Sequence, residues 1–353
     1  MSDKGSGPRR MTINDVARLA KVSKKTISRV INNSPLLKQE TRERVLKIIE
    51  EVGYQPDPQA RGLAFRRSFL IGLIHDNPNA QYVIDMQQGI LDVIRDSGFE
   101  LLVHPCSRRQ PDFLASIRKF VERQRLFGVV LPPSASEDEA LIRLFEEIDC
   151  PYARIAAVSL DLPGRMVVTS DHRGAAEAAR HLADLGHRAI GHISGPSSFL
   201  SAHERRRGVI EGLASRGLTL DGRYHAEGGY TFESGLAAAR QLLALQPRPT
   251  AIFAGNDEMA AGVYRAAREA GLDIPRDLSV IGFDDSPIAD KVWPPLTTVR
   301  LPIRQMGALA ARKLLAEEQN GPAEAQETVV TPALVIRQST AAPLLSQASS
   351  GTH

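Results

Sequence analysis

Lys24, Lys25, Ser28 and Arg29 fall within six residues, and their types suit the recognition of nucleic acid. Lysines at the front of a helix reach base edges in the major groove, and an arginine one turn on addresses a guanine or a phosphate. Farther along, the run YQPDPQARGLA (54–64) carries Leu63 in a segment too short for a core of its own. An apolar side chain in that setting suits a wedge between base steps in the minor groove. The other chemistry-bearing residues are scattered. No GxGxxG follows a strand, and neither a P-loop nor a GxSxG occurs, which argues against a doubly wound enzyme. The nine histidines and the two cysteines, Cys106 and Cys150, lack metal-ligand spacing. No catalytic residue, metal or cofactor is expected.

The basic residues need a helix to present them, and TINDVARLAKVSKKTISRVIN (12–32) supplies two. Thr12 with Asp15 reads as an N-cap and capping-box partner, and Ser23 is placed to cap the second helix. Val16, Ala17, Ala20, Val22, Ile27 and Val30 form one apolar seam shared by both helices. Lys21 occupies the turn position where glycine is usual in a helix-turn-helix. A third helix is expected over 38–52, with Val45, Ile48, Ile49 and Val52 inward and Gly53 as its stop. The competing reading is an amphipathic helical pair used for protein contact.

Asp57 as N-cap followed by Pro58 starts a hinge helix of about two turns that also contains Gly62. So short a helix is unstable alone, because nucleation is costly, and it would form only on DNA; a plain linker is the alternative.

The charge is divided along the chain as these elements require. Residues 1–67 hold 15 Lys and Arg against 7 Asp and Glu, a balance of +8, and the remainder holds 29 against 34, a balance of −5. A basic head on a mildly acidic body fits a nucleic-acid module joined to a different kind of domain. At 353 residues, two or three domains are expected. The opening MSDKGSGPRR lacks the apolar core of a secretion signal, and no apolar run approaches the roughly 20 residues that span a bilayer. A cytoplasmic protein without a membrane partner is expected.

From Phe69 onward, short apolar strands alternate with helix-length amphipathic stretches. FLIGLI (69–74), FELLVH (99–104) and FGVVL (127–131) form a first series. A second begins at MVVTS (166–170) and continues through RAIGHIS (188–194), TAIFAG (250–255) and LSVIGF (278–283). Two parallel α/β lobes with a ligand crevice at the strand C-terminal ends follow from this pattern. Strand-like residues near 297–301 and 328–336 suggest that the chain crosses between lobes more than once.

Five segments in order, TINDVARLAKVSKKTISRVIN, GYQPDPQARGL, LADLGHRAIGHISGP, AIFAGNDEMAAGV and SVIGFDDSPIADKVWPPLTTV, resemble the LacI/GalR family of bacterial transcription regulators over about residues 11–340. The resemblance implies an all-α helix-turn-helix headpiece with a hinge helix, followed by an α/β core of two parallel-sheet lobes like that of periplasmic binding proteins. The expected divisions are a tail at 1–11, a headpiece at 12–56, a hinge at 57–67, a core at 68–342 and a tail at 343–353. Within the core, one lobe takes about 68–170 and 301–330, and the other about 171–300 and 331–342.

It also implies a homodimer on a pseudo-palindromic double-stranded DNA operator, most often as a repressor, with affinity set by a small-molecule effector, by default a sugar or sugar derivative. The DNA-contacting set becomes Thr12, Ser23, Lys24, Lys25, Thr26, Ser28, Arg29 and Asn32, with Ala60 and Leu63 from the hinge. Arg205, Asn256 and Asp284 fall on the family's pocket arginine, asparagine and aspartate, and Tyr230 lies where a stacking aromatic sits. Asp76, Asn77, Gln81 and Tyr82 occupy a loop that lines the pocket. Turn or helix-cap chemistry is the competing reading for Asp76, Asn77, Asn256 and Asp284. Members that grip lactose have an aspartate where Ala156 stands and a glutamine where Leu301 stands, so a simple lactose analogue is not the expected ligand; sugar is the default, with a purine, a sugar acid or a phosphosugar as alternatives. The polar tail LLSQASSGTH has no heptad repeat, which favours a dimer over a coiled-coil tetramer. A free transport protein for sugars is disfavoured by the basic head.

Overall fold

The computed structural model describes residues 11–31, 37–54, 68–320 and 328–344. It divides between Phe69 and Leu70 into two units. The expectations for Asn32 and for the hinge with Ala60 and Leu63 fall outside the described residues.

The first unit holds α1 (Ile13–Leu19), α2 (Lys24–Ile31) and α3 (Gln39–Glu51). Thr12 and Asp15 form the capping box: the Asp15 amide donates to Thr12 Oγ1 at 3.4 Å and the Thr12 amide to Asp15 Oδ2 at 3.1 Å. Ser23 Oγ accepts from the Thr26 amide at 3.1 Å and satisfies one of the donors left open at the start of α2. The turn between them passes through Lys21 at φ 52°. A left-handed non-glycine residue costs about 1–2 kcal/mol, and the packed helices on either side sustain it. Val16, Ala17, Ala20, Ile27, Val30, Val45 and Tyr54 form the buried core, with Ile48, Ile49 and Val52 packed against it. Gly53, at φ 59°, ends α3 as its position after the last apolar residue requires.

The second unit is built on twelve strands. In chain order it runs β1 (Leu70–His75), α4 (Ala80–Ile94), β2 (Glu100–Pro105), α5 (Phe113–Gln124), β3 (Gly128–Leu131), α6 (Glu139–Glu147), β4 (Tyr152–Ala156), β5 (Met166–Thr169), α7 (Asp171–Asp184), β6 (Ile190–Ser194), α8 (Leu200–Ala214) and β7 (His225–Glu227). It continues through α9 (Phe232–Leu243), β8 (Ala251–Ala254), α10 (Asp257–Glu269), β9 (Ser279–Asp284), α11 (Ile288–Lys291), β10 (Thr297–Arg300), α12 (Ile303–Asn320), β11 (Thr328–Val330) and β12 (Ala333–Val335).

The strands form two six-stranded sheets, ordered β11-β5-β4-β3-β1-β2 and β12-β10-β9-β8-β6-β7. The first is wholly parallel, and the second is parallel except for β12, which runs antiparallel to β10. Central strands are buried along their whole length, as helices on both faces of a parallel sheet require. One apolar cluster runs from Ile71 and Ile155 in the first sheet through Ala175 and Leu182 of α7 to Phe253 and Ile281 in the second. The chain passes between sheets after β5, after β10 and again after β11. Helix α12 returns to pack on α4 beneath the first sheet.

Two strands escape the apolar-run reading. β4 contains Arg154, whose charge interrupts the pattern, although the side chain is 1% exposed and bonds the Ser136 and Leu160 carbonyls, Asp161 and Glu139. β7 is a three-residue edge strand of sequence HAE. With β4 restored, MVVTS no longer starts the second series: β5 pairs with β4 and belongs to the first sheet.

Candidate functional site

On the headpiece, α2 leaves Lys24 and Lys25 exposed at its first turn, with Arg29 partly exposed one turn later. Three hydroxyls from the expected contact set are already engaged in the helix starts. Thr12 Oγ1 donates to Asp15 Oδ2 at 2.7 Å, and Ser23 Oγ and Thr26 Oγ1 lie 2.9 Å apart. The cations carry the free donors of this face, and the hydroxyls shape the helix ends beneath them.

In the core, a cavity opens where the carboxyl ends of both sheets face each other. It holds about 420 Å³ of atom-free space, its mouth included. Asn77, Tyr82, Arg205, Tyr230, Asn256 and Asp284, all expected from sequence, line it together. Asp76 and Gln81 do not. Both oxygens of Asp76 are taken, by Arg108 Nε at 2.9 Å and by Ser134 Oγ at 2.9 Å, and the Gln81 amide donates to Asp85 at 3.0 Å. Both act as loop and helix structure, which was the competing reading for Asp76.

Arg205 is the centre of the wall and is buried. Its Nε donates to Asp171 Oδ2 at 2.8 Å, Nη1 to the Gly255 carbonyl, and Nη2 to Asp284 Oδ1 at 3.5 Å. The guanidinium carbon lies 3.7 Å from the centre of the Phe283 ring. A planar cation held on three sides and stacked on a fourth is a fixed part of the wall.

Asp284 closes β9 at φ 108°. The turn behind it is clamped: Asp285 pairs with Arg300 at 2.6 Å and Arg337 at 2.7 Å, and the Ser286 amide donates to Asp257 Oδ2 at 2.6 Å. Burial pushes the Asp284 carboxyl up to about 7, against the opposing pull of Arg205. Burial likewise pushes Asp257 up to about 8.

Asn256 both lines the cavity and does structural work. Its Oδ1 caps α10 by accepting from the Met259 amide at 2.9 Å, and its Nδ2 donates to the Tyr230 carbonyl at 3.1 Å. Tyr230 sits at φ 61°, a conformation that needs such support. Its ring lies edge-on to Phe199, with centroids 5.4 Å apart. Gly195 makes room for it, since a Cβ there would fall 2.1 Å from Tyr230 Cζ.

Tyr82 contributes the feature with no internal explanation. Its hydroxyl is buried and has no hydrogen-bond partner, and burial holds the phenol protonated well above its ordinary range.

Sequence reasoning missed Asp171, Thr169, Phe199, Ser201, Asn79 and Met306, which also line the cavity. Asp171 follows β5, and its pairing with Arg205, 34 residues on, is visible in no local window. Leu301, noted as a departure, is in the wall and makes it apolar there, while Ala156 is buried within β4. Two polar links join the lobes beside the cavity. Glu137 Oε2 accepts from the Leu200 amide at 3.0 Å, and Arg108 donates to the Ser198 carbonyl at 3.2 Å. Burial pushes Glu137 up to about 7. Among the described residues no cluster of His, Cys, Asp and Glu is arranged to hold a metal, and no helix is long and apolar enough to cross a membrane.

Comparison with known proteins gives a consistent picture. Residues 12–57 match the profile of bacterial regulatory proteins of the lacI family, and residues 179–340 match a periplasmic binding protein-like domain. Catabolite control protein A of Priestia megaterium is 34% identical over 307 residues, covering 86% of this chain and 91% of that protein. Among solved structures, the lac repressor dimer bound to operator and an anti-inducer is similar with TM-score 0.76 and 28% identity, over 95% of this chain and 100% of that one. A complex of the transcriptional regulator CelR with cellobiose is similar with TM-score 0.71 and 29% identity, over 94% of this chain and 100% of that one.

Proposed function

Because the chain belongs to the LacI family of bacterial regulatory proteins, we propose that it is a cytoplasmic repressor that binds a pseudo-palindromic operator as a homodimer and senses a small carbohydrate in the cavity between its sheets. It is a transcription regulator and not an enzyme, as its relatives are.

The observation that carries the carbohydrate reading is the Tyr82 hydroxyl, buried at the cavity without a partner. An unsatisfied buried donor costs about 1–3 kcal/mol, and a ligand oxygen placed against it recovers that loss. Asp284 offers a second oxygen beside it, and Tyr230 and Phe199 offer aromatic surface for C–H faces. Acceptors, donors and aromatic rings lining one cavity suit a polyol. On the headpiece, Lys24, Lys25 and Arg29 read the operator.

A thermal-shift screen of neutral monosaccharides and disaccharides on the full-length protein tests the sensor. A true effector at a hundred times its Kd stabilises the protein by about 2.7 kcal/mol, and Asp284→Ala removes that gain. Retention on DNA that weakens steeply with salt tests the other half. The absence of both the sugar-dependent shift and the salt-dependent retention would leave this reading without support.

A further inference from the structure

We infer that Asp171 is a specificity-determining residue that screens the charge of Arg205, fitting the cavity to neutral hydroxylated ligands and turning away anionic ones such as sugar acids and sugar phosphates. This rests on the carbohydrate-sensor reading of the same cavity.

Arg205 is the single cation among the described residues that line the cavity, and two carboxylates, Asp171 and Asp284, line it with Arg205. The two acids hold it differently. Asp171 is 1% exposed and locked, with one oxygen accepting from the Thr169 hydroxyl and the other from Arg205 Nε at 2.8 Å. Asp284 touches Arg205 only at 3.5 Å. Asp284 is therefore free to turn to a ligand while Asp171 keeps the guanidinium neutralised.

The helix starts that meet the cavity point the same way. The N-terminus of a helix is a ready anion site, because its amides and its dipole both face outward. At this cavity each start carries an acidic or amide side chain. Asp171 is the first residue of α7, Asp257 is the first of α10, and Glu137 accepts from the Leu200 amide that opens α8. Helix α4 is capped by Asn79, whose Oδ1 accepts from the Gln81 and Tyr82 amides. An entering carboxylate or phosphate meets two carboxylates and one compensated cation.

The test compares wild-type, D171N and D171N/R205Q full-length proteins. Melting temperature is followed in sodium sulfate against sodium chloride at equal ionic strength, with the double variant calibrating the general salting effect of sulfate. The expected result is no Arg205-dependent gain in the wild type and a gain of at least 3 °C in D171N at the highest sulfate. D284N, which removes the looser partner, moves in the same direction by less, and serves if D171N does not fold.

In parallel, glucose against glucuronate and ribose against ribose 5-phosphate are titrated. D171N shifts the anion-to-neutral affinity ratio toward the anion at least tenfold in any pair that binds. A wild-type protein that already shows an Arg205-dependent sulfate gain overturns the proposal, as does a folded D171N that shows none. The sulfate readout needs no effector. If no neutral sugar binds but D171N acquires the sulfate site, the charge screen stands and the carbohydrate reading falls; the reverse outcome leaves the sensor and removes the screen.

Discussion

The two polar surfaces of this protein are built on opposite plans. On α2 of the headpiece, Lys24 and Lys25 stand exposed on a helix whose start engages the Ser23 and Thr26 hydroxyls. At the cavity, Arg205, Asp171 and Asn256 are buried and each is held by named partners. On the proposed function, the difference follows from what each surface meets. DNA presents a regular charged surface to which exposed, hydrated cations can adapt, and counterion release supplies much of the affinity. A small neutral ligand brings little binding energy, so its site must be organised before it arrives. Stability and recognition are therefore separable on the headpiece and fused at the cavity.

The most demanding check of that contrast is Arg205→Ala. It leaves Asp171 and Asp284 buried without their counter-charge, and a loss of about 3–5 kcal/mol is expected in urea unfolding of the core. An unchanged midpoint would mean that the cavity is not pre-organised by this arginine. On the other surface, Arg29→Ala and Lys24→Ala should weaken specific DNA binding by about 1–3 kcal/mol each for a base contact. Their unfolding midpoints should not move, and a variant that loses only phosphate contact should lower the salt slope by about one. A stability loss matching the binding loss would erase the contrast.

A subtler check uses pH. Asp284 and Glu137 are raised to about 7 and Asp257 to about 8 in the folded protein, whereas their unfolded forms ionise near 4. The folded state therefore holds protons that the unfolded state has released, and the stability these groups contribute is lost as pH rises through their folded values. Histidines lowered below 6.5 act in the opposite sense around pH 6.5, where their unfolded forms lose their protons. The Asp284 contribution is therefore read as a difference: wild-type stability minus that of D284N should fall as pH rises from about 4 to about 7 and level off above that. The smallest effect belongs to Lys21→Gly, which relieves the left-handed turn at φ 52° and should stabilise the headpiece by up to about 1 kcal/mol without altering DNA contacts.

Sequence reasoning was strongest where one local rule decided the outcome. The capping box at Thr12, the Ser23 cap and the Gly53 stop each follow from a few neighbouring residues, and all three are present. Parallel strands with continuous apolar runs were equally visible. Arg154 hid β4 because its charge is compensated by residues 136, 139, 160 and 161, which no local window associates with a strand. That omission left β5 without its partner strand, and Asp171 was missed because its partner Arg205 lies 34 residues away. The pocket positions suggested by resemblance divided by chemistry: Asp76 was claimed by Arg108, 32 residues away, a pairing visible only once the sheet had assembled. Asn256 turned out to be cap and wall at once.

The path of the chain between the sheets also orders events at the ribosome. Every core residue of the headpiece has been synthesised by Tyr54, whereas the first sheet lacks α12 beneath it until Asn320 and its edge strand β11 until Val330. At about 5–20 residues per second, that gap is on the order of tens of seconds. On the proposed function, a nascent chain thus exposes a finished DNA-reading head long before its sensor is complete, and a messenger truncated before Ile303 would encode a head that no metabolite can instruct.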